Sequence, residues 1–184
     1  MQPDRVTTLI KSWPLAHPRD HDYNSSDLSQ PSIRILIADD HPMFREGINL
    51  ILSGDEELAV VANAGTAAEA FRLAREYVPD VILLDISLPD VDGLSALSQI
   101  REAARSARIV VLSMHIDANH IVRAFDMGAD GYIAKQSASR ELLEGLRAVH
   151  RGERFVDQIT KAELSRTSEY SYEVIEEAGG LGEH

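Results

Sequence analysis

The chain has 184 residues, 44% of them hydrophobic, which suits one domain with a real core and appendages rather than two full domains. Its formal net charge of -12 argues against direct nucleic-acid binding, which is driven by clustered Lys and Arg. There is no cysteine, so disulfides, thiolate metal sites and a Cys nucleophile are excluded, and a cytoplasmic setting is expected. No apolar run approaches the roughly 18 residues of a membrane span, and Val6 to Ile10 is too short for a signal core.

Residues 1–32 mix Pro3, Pro14, Pro18 and Pro31 with Asp, His, Asn and Ser, and read as a disordered or weakly structured arm. Val6, Leu9, Ile10 and Trp13 would line one face of a short helix, marginal without a partner. From Ile33 the chain alternates apolar strand and amphipathic helix five times, the rhythm of a βαβ fold. The first strand is predicted from Ile33 to Ala38, followed by a helix with Pro42 in its first turn and Phe44, Ile48, Ile51 and Leu52 inward. A second strand, Leu58 to Ala62, leads to Thr66 and Glu69, a capping box for a helix burying Ala70, Leu73 and Ala74. Val81 to Leu84 is four apolar residues without alternation, hence a strand covered on both faces, with Asp85 emerging at its end. A helix from about Asp92, with Leu94, Leu97 and Ile100 inward, precedes the strand Ile109 to Leu112 and Ser113. The fourth helix carries Ile121, Val122 and Phe125 and stops at Gly128. Tyr132 to Ala134 is the fifth strand, Lys135 follows it, and a last helix with Leu142, Leu143, Leu146 and Val149 ends near Gly152. The domain is therefore expected over residues 33–153, with residues 154–184 as an acidic tail or linker remnant in which Tyr170, Val174 and Ile175 would give a short amphipathic helix.

Parallel strands place their carboxyl ends on one edge, so Asp39, Asp40, Asp85, Ser113 and Lys135 should face one crevice. Three carboxylates held close repel one another and call for a cation between them, for which Mg²⁺ is the natural candidate. With Lys135 added, the set describes a site for phosphoryl transfer, with Asp85 as nucleophile. Each residue has a plainer reading beside this one. Asp39 or Asp40 could cap the first helix, Ser113 could bond a strand-end carbonyl, Tyr132 could be an ordinary strand aromatic, Lys135 could be a solvated helix-start lysine, and His115 could be a surface loop residue.

Four segments carry a resemblance. They are Ile-Leu-Ile-Ala-Asp-Asp-His-Pro (Ile35 to Pro42), Asp-Val-Ile-Leu-Leu-Asp-Ile-Ser-Leu-Pro-Asp-Val-Asp-Gly (Asp80 to Gly93), Val-Leu-Ser-Met-His (Val111 to His115) and Gly-Ala-Asp-Gly-Tyr-Ile-Ala-Lys (Gly128 to Lys135). Together they resemble the receiver domains of two-component response regulators, in the NarL/FixJ branch. The resemblance implies a flavodoxin-like (CheY-like), doubly wound, five-stranded parallel sheet of order 2-1-3-4-5 with helices on both faces. It makes Asp85 the residue that accepts a phosphoryl group from a sensor histidine kinase. It makes Asp40 and Asp85 direct Mg²⁺ ligands, Asp39 a ligand through water and the Ser87 carbonyl the last protein ligand. Lys135 would contact Asp85 and then the phosphoryl group, and Ser113 with Tyr132 would be the switch pair. Ser87 and His115 stand where side chains tune dephosphorylation. The face of the fourth helix, fifth strand and fifth helix would serve a homodimer or another partner.

Departures from the family shape the expected output. No Leu-Thr-x-Arg-Glu start of a helix-turn-helix domain follows Gly152-Glu153-Arg154-Phe155, and the acidic residues 154–184 cannot supply a groove-reading basic helix, so direct DNA binding is not expected from this chain. Gln136 stands where many receivers have a cis proline after the lysine, and a cis bond there would cost about 3 kcal/mol. The chain therefore reads as a signalling module that switches protein contacts, not an enzyme. The alternatives are a transcription regulator without its DNA-binding domain, a phosphate sink, and, more remotely, a Mg²⁺-dependent aspartate-nucleophile phosphatase. The last needs a second Asp two residues after the first, where this chain has Ser87.

Overall fold

The computed structural model describes residues 32–166. Six parallel strands form one sheet in the order β2-β1-β3-β4-β5-β6. They are β1 (Ile33–Ala38), β2 (Leu58–Ala64), β3 (Val81–Asp85), β4 (Arg108–Ser113), β5 (Gly131–Ala134) and β6 (Phe155–Val156). The helices between them are α1 (Pro42–Ser53), α2 (Ala67–Tyr77), α3 (Gly93–Ala103), α4 (Ala118–Asp126) and α5 (Ser139–His150).

The uninterrupted apolar strands are explained by cover on both faces. Leu36, Ile82, Leu84, Ile109, Val111 and Tyr132 point to one side and pack beneath α2, α3 and α4 through Ala70, Leu97, Ile100, Ile121 and Phe125. Their alternate neighbours Ile35, Ile37, Leu83, Val110, Leu112 and Ile133 point to the other, beneath α1 and α5 through Ile48, Leu52, Leu142, Leu146 and Val149. All five residues of β3 are buried, as a central strand requires.

Helix ends follow the expected capping chemistry. The Thr66 hydroxyl accepts the Glu69 N–H at 3.1 Å, while the Glu69 carboxylate reaches back to the Gly65 N–H at 2.8 Å, one residue before the expected partner. Asp92 and Asp117 cap α3 and α4. Gly128 takes φ +100° after α4, where a side chain would be strained, and the Ala129 N–H bonds back to Ala124 O at 3.0 Å. Neither acidic residue caps α1: its N-cap is His41, without a side-chain bond, and Pro42 opens the helix.

The sheet has six strands where five were expected. Past α5, Gly152 at φ +88° turns the chain back along the open edge of β5, and Phe155 and Val156 pair with Gly131 and Tyr132. Two residues are too short to announce a strand, but the β5 edge offers them unpaired backbone groups. Beyond β6 a helical stretch, residues 158–166, buries Leu164 in the same cluster as Phe125 and Tyr132. β2 also runs to Ala64 rather than Ala62, with a register shift opposite Ile35 and Leu36 that absorbs one residue. The expected N-terminal arm through residue 31, and the helix suggested around Tyr170 to Ile175, lie outside the described residues.

Candidate functional site

The carboxyl edge of the sheet gathers the polar residues that the core excludes. Asp39 and Asp85, at the ends of the adjacent strands β1 and β3, are completely buried, an arrangement too costly for carboxylates without partners. Lys135, just past β5, supplies the nearest one: its Nζ lies 2.6 Å from Asp85 Oδ2 and 2.6 Å from Asp39 Oδ2. Burial by itself would lower the Lys135 pKa, but the bonds and charges of the two aspartates outweigh it and hold the ammonium above its ordinary range. The ammonium also sits 4.6 Å from the centre of the Phe44 ring, and the Lys135 N–H donates to Ser113 O at 2.9 Å, so both ends of the residue are fixed. Peptide bonds among the described residues are trans, including Lys135–Gln136, and the lysine reaches Asp85 in that conformation.

The other carboxylate oxygens are held in part by backbone. Asp85 Oδ1 accepts the N–H of exposed Ser87 at 2.8 Å, and Asp39 Oδ1 accepts the N–H of His41 at 2.8 Å. The Arg45 guanidinium donates to the Asp39 carbonyl. One potential ligand atom each from Asp39, Asp40, His41 and Asp85 lies within 4.8 Å of all the others. Asp39 Oδ2 and Asp40 Oδ1 are closed off from water and accept no hydrogen bond of good geometry, although Lys135 and His41 stand beside them as ion-pair partners. Three carboxylates against one ammonium leave an excess of negative charge among hard oxygen donors, and this donor set fits Mg²⁺.

Ser113 and Tyr132 lie on neighbouring strands, both fully buried. Ser113 Oγ accepts the His115 N–H at 2.9 Å, and the Tyr132 hydroxyl donates to the His115 carbonyl at 2.5 Å, so one loop residue is bound to both. Burial pushes the Tyr132 phenol up to about 12. The His115 side chain is exposed and stacks on His120 with ring centres 5.7 Å apart.

All the expected residues thus converge on one edge, with Ser87 and His115 at its rim. His41 joins the acidic set unannounced, because a histidine directly after Asp-Asp and before a proline reads as a solvent-facing helix start. Asp90 was missed as well. Its carboxylate accepts the N–H groups of Ala67 at 2.8 Å and Ala68 at 3.0 Å, pinning the loop after β3 to the start of α2, and these bonds hold its pKa below the ordinary carboxylate value.

The family model for the response regulator receiver domain matches residues 35–147. The chain belongs to the response regulator receiver family. It is 38% identical over 126 residues to the oxygen regulatory protein NreC of Staphylococcus haemolyticus, a match covering 68% of this chain and 58% of that one. The chain thus spans little more than half the length of that relative. A two-component response regulator of the LuxR family from Aurantimonas sp. SI85-9A1 superposes with a TM-score of 0.70 at 36% identity, covering 74% of this chain and 97% of that structure. A structure of two RcsB dimers bound to two parallel DNAs superposes with a TM-score of 0.68 at 26% identity, over 73% of this chain and 68% of that one. Receiver domains of this family are signalling domains, and their relatives here are NarL/LuxR-type response regulators.

Proposed function

We propose that this chain is a phosphoaspartate switch in which Asp85 accepts a phosphoryl group from a sensor histidine kinase. The observation that carries the reading is the burial of Asp85 against the Lys135 ammonium, inside a cluster with Asp39 and Asp40. An Asp85 oxygen attacks phosphorus, an acyl phosphate forms, and the P–N bond of the kinase phosphohistidine breaks with its electron pair returning to the imidazole. Asp40, Asp85 and the Ser87 carbonyl would hold Mg²⁺ directly and Asp39 through water. When bound, the ion neutralises the phosphoryl oxygens. Lys135 pairs with Asp85 before transfer and with the phosphoryl group afterwards.

Ser113 then donates its hydroxyl to a new phosphate oxygen, and the movement this needs loosens the bond it accepts from the His115 N–H. Tyr132 shares that loop residue, so the local charge change is passed to the packing of α4 and β5. Ser87 and His115, at the rim, set the lifetime of the acyl phosphate. The reading assigns the receiver to the segment expected over residues 33–153, with residues 1–32 as a flanking arm and residues 154–184 as a following segment whose first part adds β6 to the sheet, and the cytoplasm as the place where it meets its kinase. Output runs through protein contacts, including a homodimer built on α4, β5 and α5. The charge of -12 argues against DNA as a direct partner, but kinship adds nothing to that argument, since the similar RcsB dimers bind DNA.

The test is intact mass after incubation with a small acyl-phosphate donor, with and without Mg²⁺, for the wild-type chain and Asp85→Asn. The expected result is a Mg²⁺-dependent gain of one phosphate that the variant lacks. Gel filtration of both forms reports whether dimerisation follows. Equal phosphate uptake by the variant would refute the assignment.

A further inference from the structure

We propose that His41 is a nitrogen ligand of the divalent-cation site, so that the site takes a transition metal such as Ni²⁺ with a preference that its oxygen donors alone would not give. The inference rests on the reading of the acidic cluster as a cation site, and deepens it.

His41 is placed by three constraints that do not involve its ring. It lies in extended backbone immediately before α1, Pro42 restricts the residue that precedes it, and its N–H is bound to Asp39 Oδ1. Its carbonyl accepts the N–H groups of Phe44 and Arg45, both at 3.1 Å. The ring is therefore delivered to the mouth of the site by the backbone. There Nδ1 lies 2.7 Å from Asp40 Oδ1 and 3.3 Å from Asp39 Oδ1. Neighbouring ligands of an octahedral ion with bonds of 2.0–2.1 Å are about 3 Å apart, so the nitrogen stands at ligand-to-ligand distance from Asp40, a direct ligand in the reading above, with Asp39, a ligand through water, beside it. Its separation from the chosen Asp85 oxygen is within 4.8 Å, a bound a little above the roughly 4.2 Å between opposite ligands of such an ion, so a small closure of the side chains brings the donors to one centre. Asp40 Oδ1, the oxygen nearest the ring, accepts no hydrogen bond of good geometry and is closed off from water, as expected of an oxygen and a nitrogen that face a common cation.

The chemical consequence is selectivity. Imidazole suits Ni²⁺, Zn²⁺ and Cu²⁺, whereas Mg²⁺ prefers hard oxygen and gains little from it. Loss of the ring should weaken a transition metal at least by the roughly tenfold that loss of an outer partner costs, and leave Mg²⁺ nearly unchanged.

The experiment uses the tag-free full chain as wild type, His41→Gln and Asp85→Asn, with calorimetric titrations of Mg²⁺ alone and Ni²⁺ alone. Pulsed EPR of bound Mn²⁺ reads nitrogen coupling. Glutamine can still donate a hydrogen bond to Asp40, so a merely structural histidine would be replaced without loss. The expected result is a loss of Ni²⁺ affinity of about tenfold or more in His41→Gln, little change for Mg²⁺, and a nitrogen coupling present in the wild type and absent from the variant. If His41→Gln weakens both metals alike or neither, and the nitrogen coupling is absent or persists, the histidine is no ligand, while the oxygen site stands. If Asp85→Asn leaves both affinities unchanged, the acidic cluster is not the cation site, and the underlying reading falls together with the inference.

Discussion

Lys135 is the residue on which the site's charge balance turns. It lies between two buried carboxylates, and its removal leaves Asp39 and Asp85 facing each other. Lys135→Met should therefore lower unfolding stability by about 3 kcal/mol in urea titrations, with part of the loss recovered on adding Mg²⁺. Stability unchanged or increased in the variant without metal would show that the aspartates do not depend on the ammonium. Tyr132 gives a pH test. Its phenol is raised to about 12 in the folded chain by burial, so the folded state binds the proton more tightly than the unfolded one. Stability is then fully present below an unfolded tyrosine value of about 10 and is lost as pH rises from there toward 12. Ultraviolet titration should show one of the five tyrosines ionising last, at about 12, and Tyr132→Phe should delete that component.

At the scale of elements, two aspartates join segments distant in sequence. Asp90 bonds the first turn of α2 from the loop after β3, across 23 positions to Ala67. Asp90→Ala should cost about 0.5–1 kcal/mol, at the low end for a cap because the carboxylate is exposed, as read by thermal unfolding. Asp157, fully buried, accepts the Ala134 N–H at 2.7 Å and the Thr160 hydroxyl and N–H at 2.8 and 3.0 Å. It ties the helical stretch beyond β6 to the strand that leads into Lys135. Asp157→Ala strands a buried N–H and should cost about 1–3 kcal/mol, with faster hydrogen exchange at Ala134 than at Ile37 in the sheet centre. Neither aspartate was legible, because each serves a backbone group whose position is known only after folding. The strands β3 and β4 were legible from unbroken apolar runs, β1 from an apolar stretch interrupted once by Arg34, and α2 from Thr66 and Glu69, since those signals are local. β6 was not, because two residues carry no period. His41 was quoted within its motif yet passed over, because its ring meets the acidic pair only once Pro42 has started the helix.

For the molecule as a whole, parallel connectivity explains why the convergence of these strand ends on one edge was legible in the sequence. Residues from Asp39 to Lys135 must share one sheet edge once their strands are parallel and adjacent. What that topology leaves open is where the packed unit stops. Residues beyond Glu153 add β6 and bury Val156 and Leu164 in the core beneath α4, so the segment leading away from the receiver is in contact with the Tyr132 strand. Among the described residues no helix is long and apolar enough to cross a membrane. Whether the phosphoryl group rests on Asp85 is tested by peptide mapping. The chain is incubated with a small acyl-phosphate donor and Mg²⁺, the acyl phosphate is trapped by borohydride reduction, and the reduced residue is located by mass spectrometry. Reduction is expected at Asp85 alone. Reduction at another carboxylate, or at none while calorimetry shows Mg²⁺ bound, would contradict that assignment.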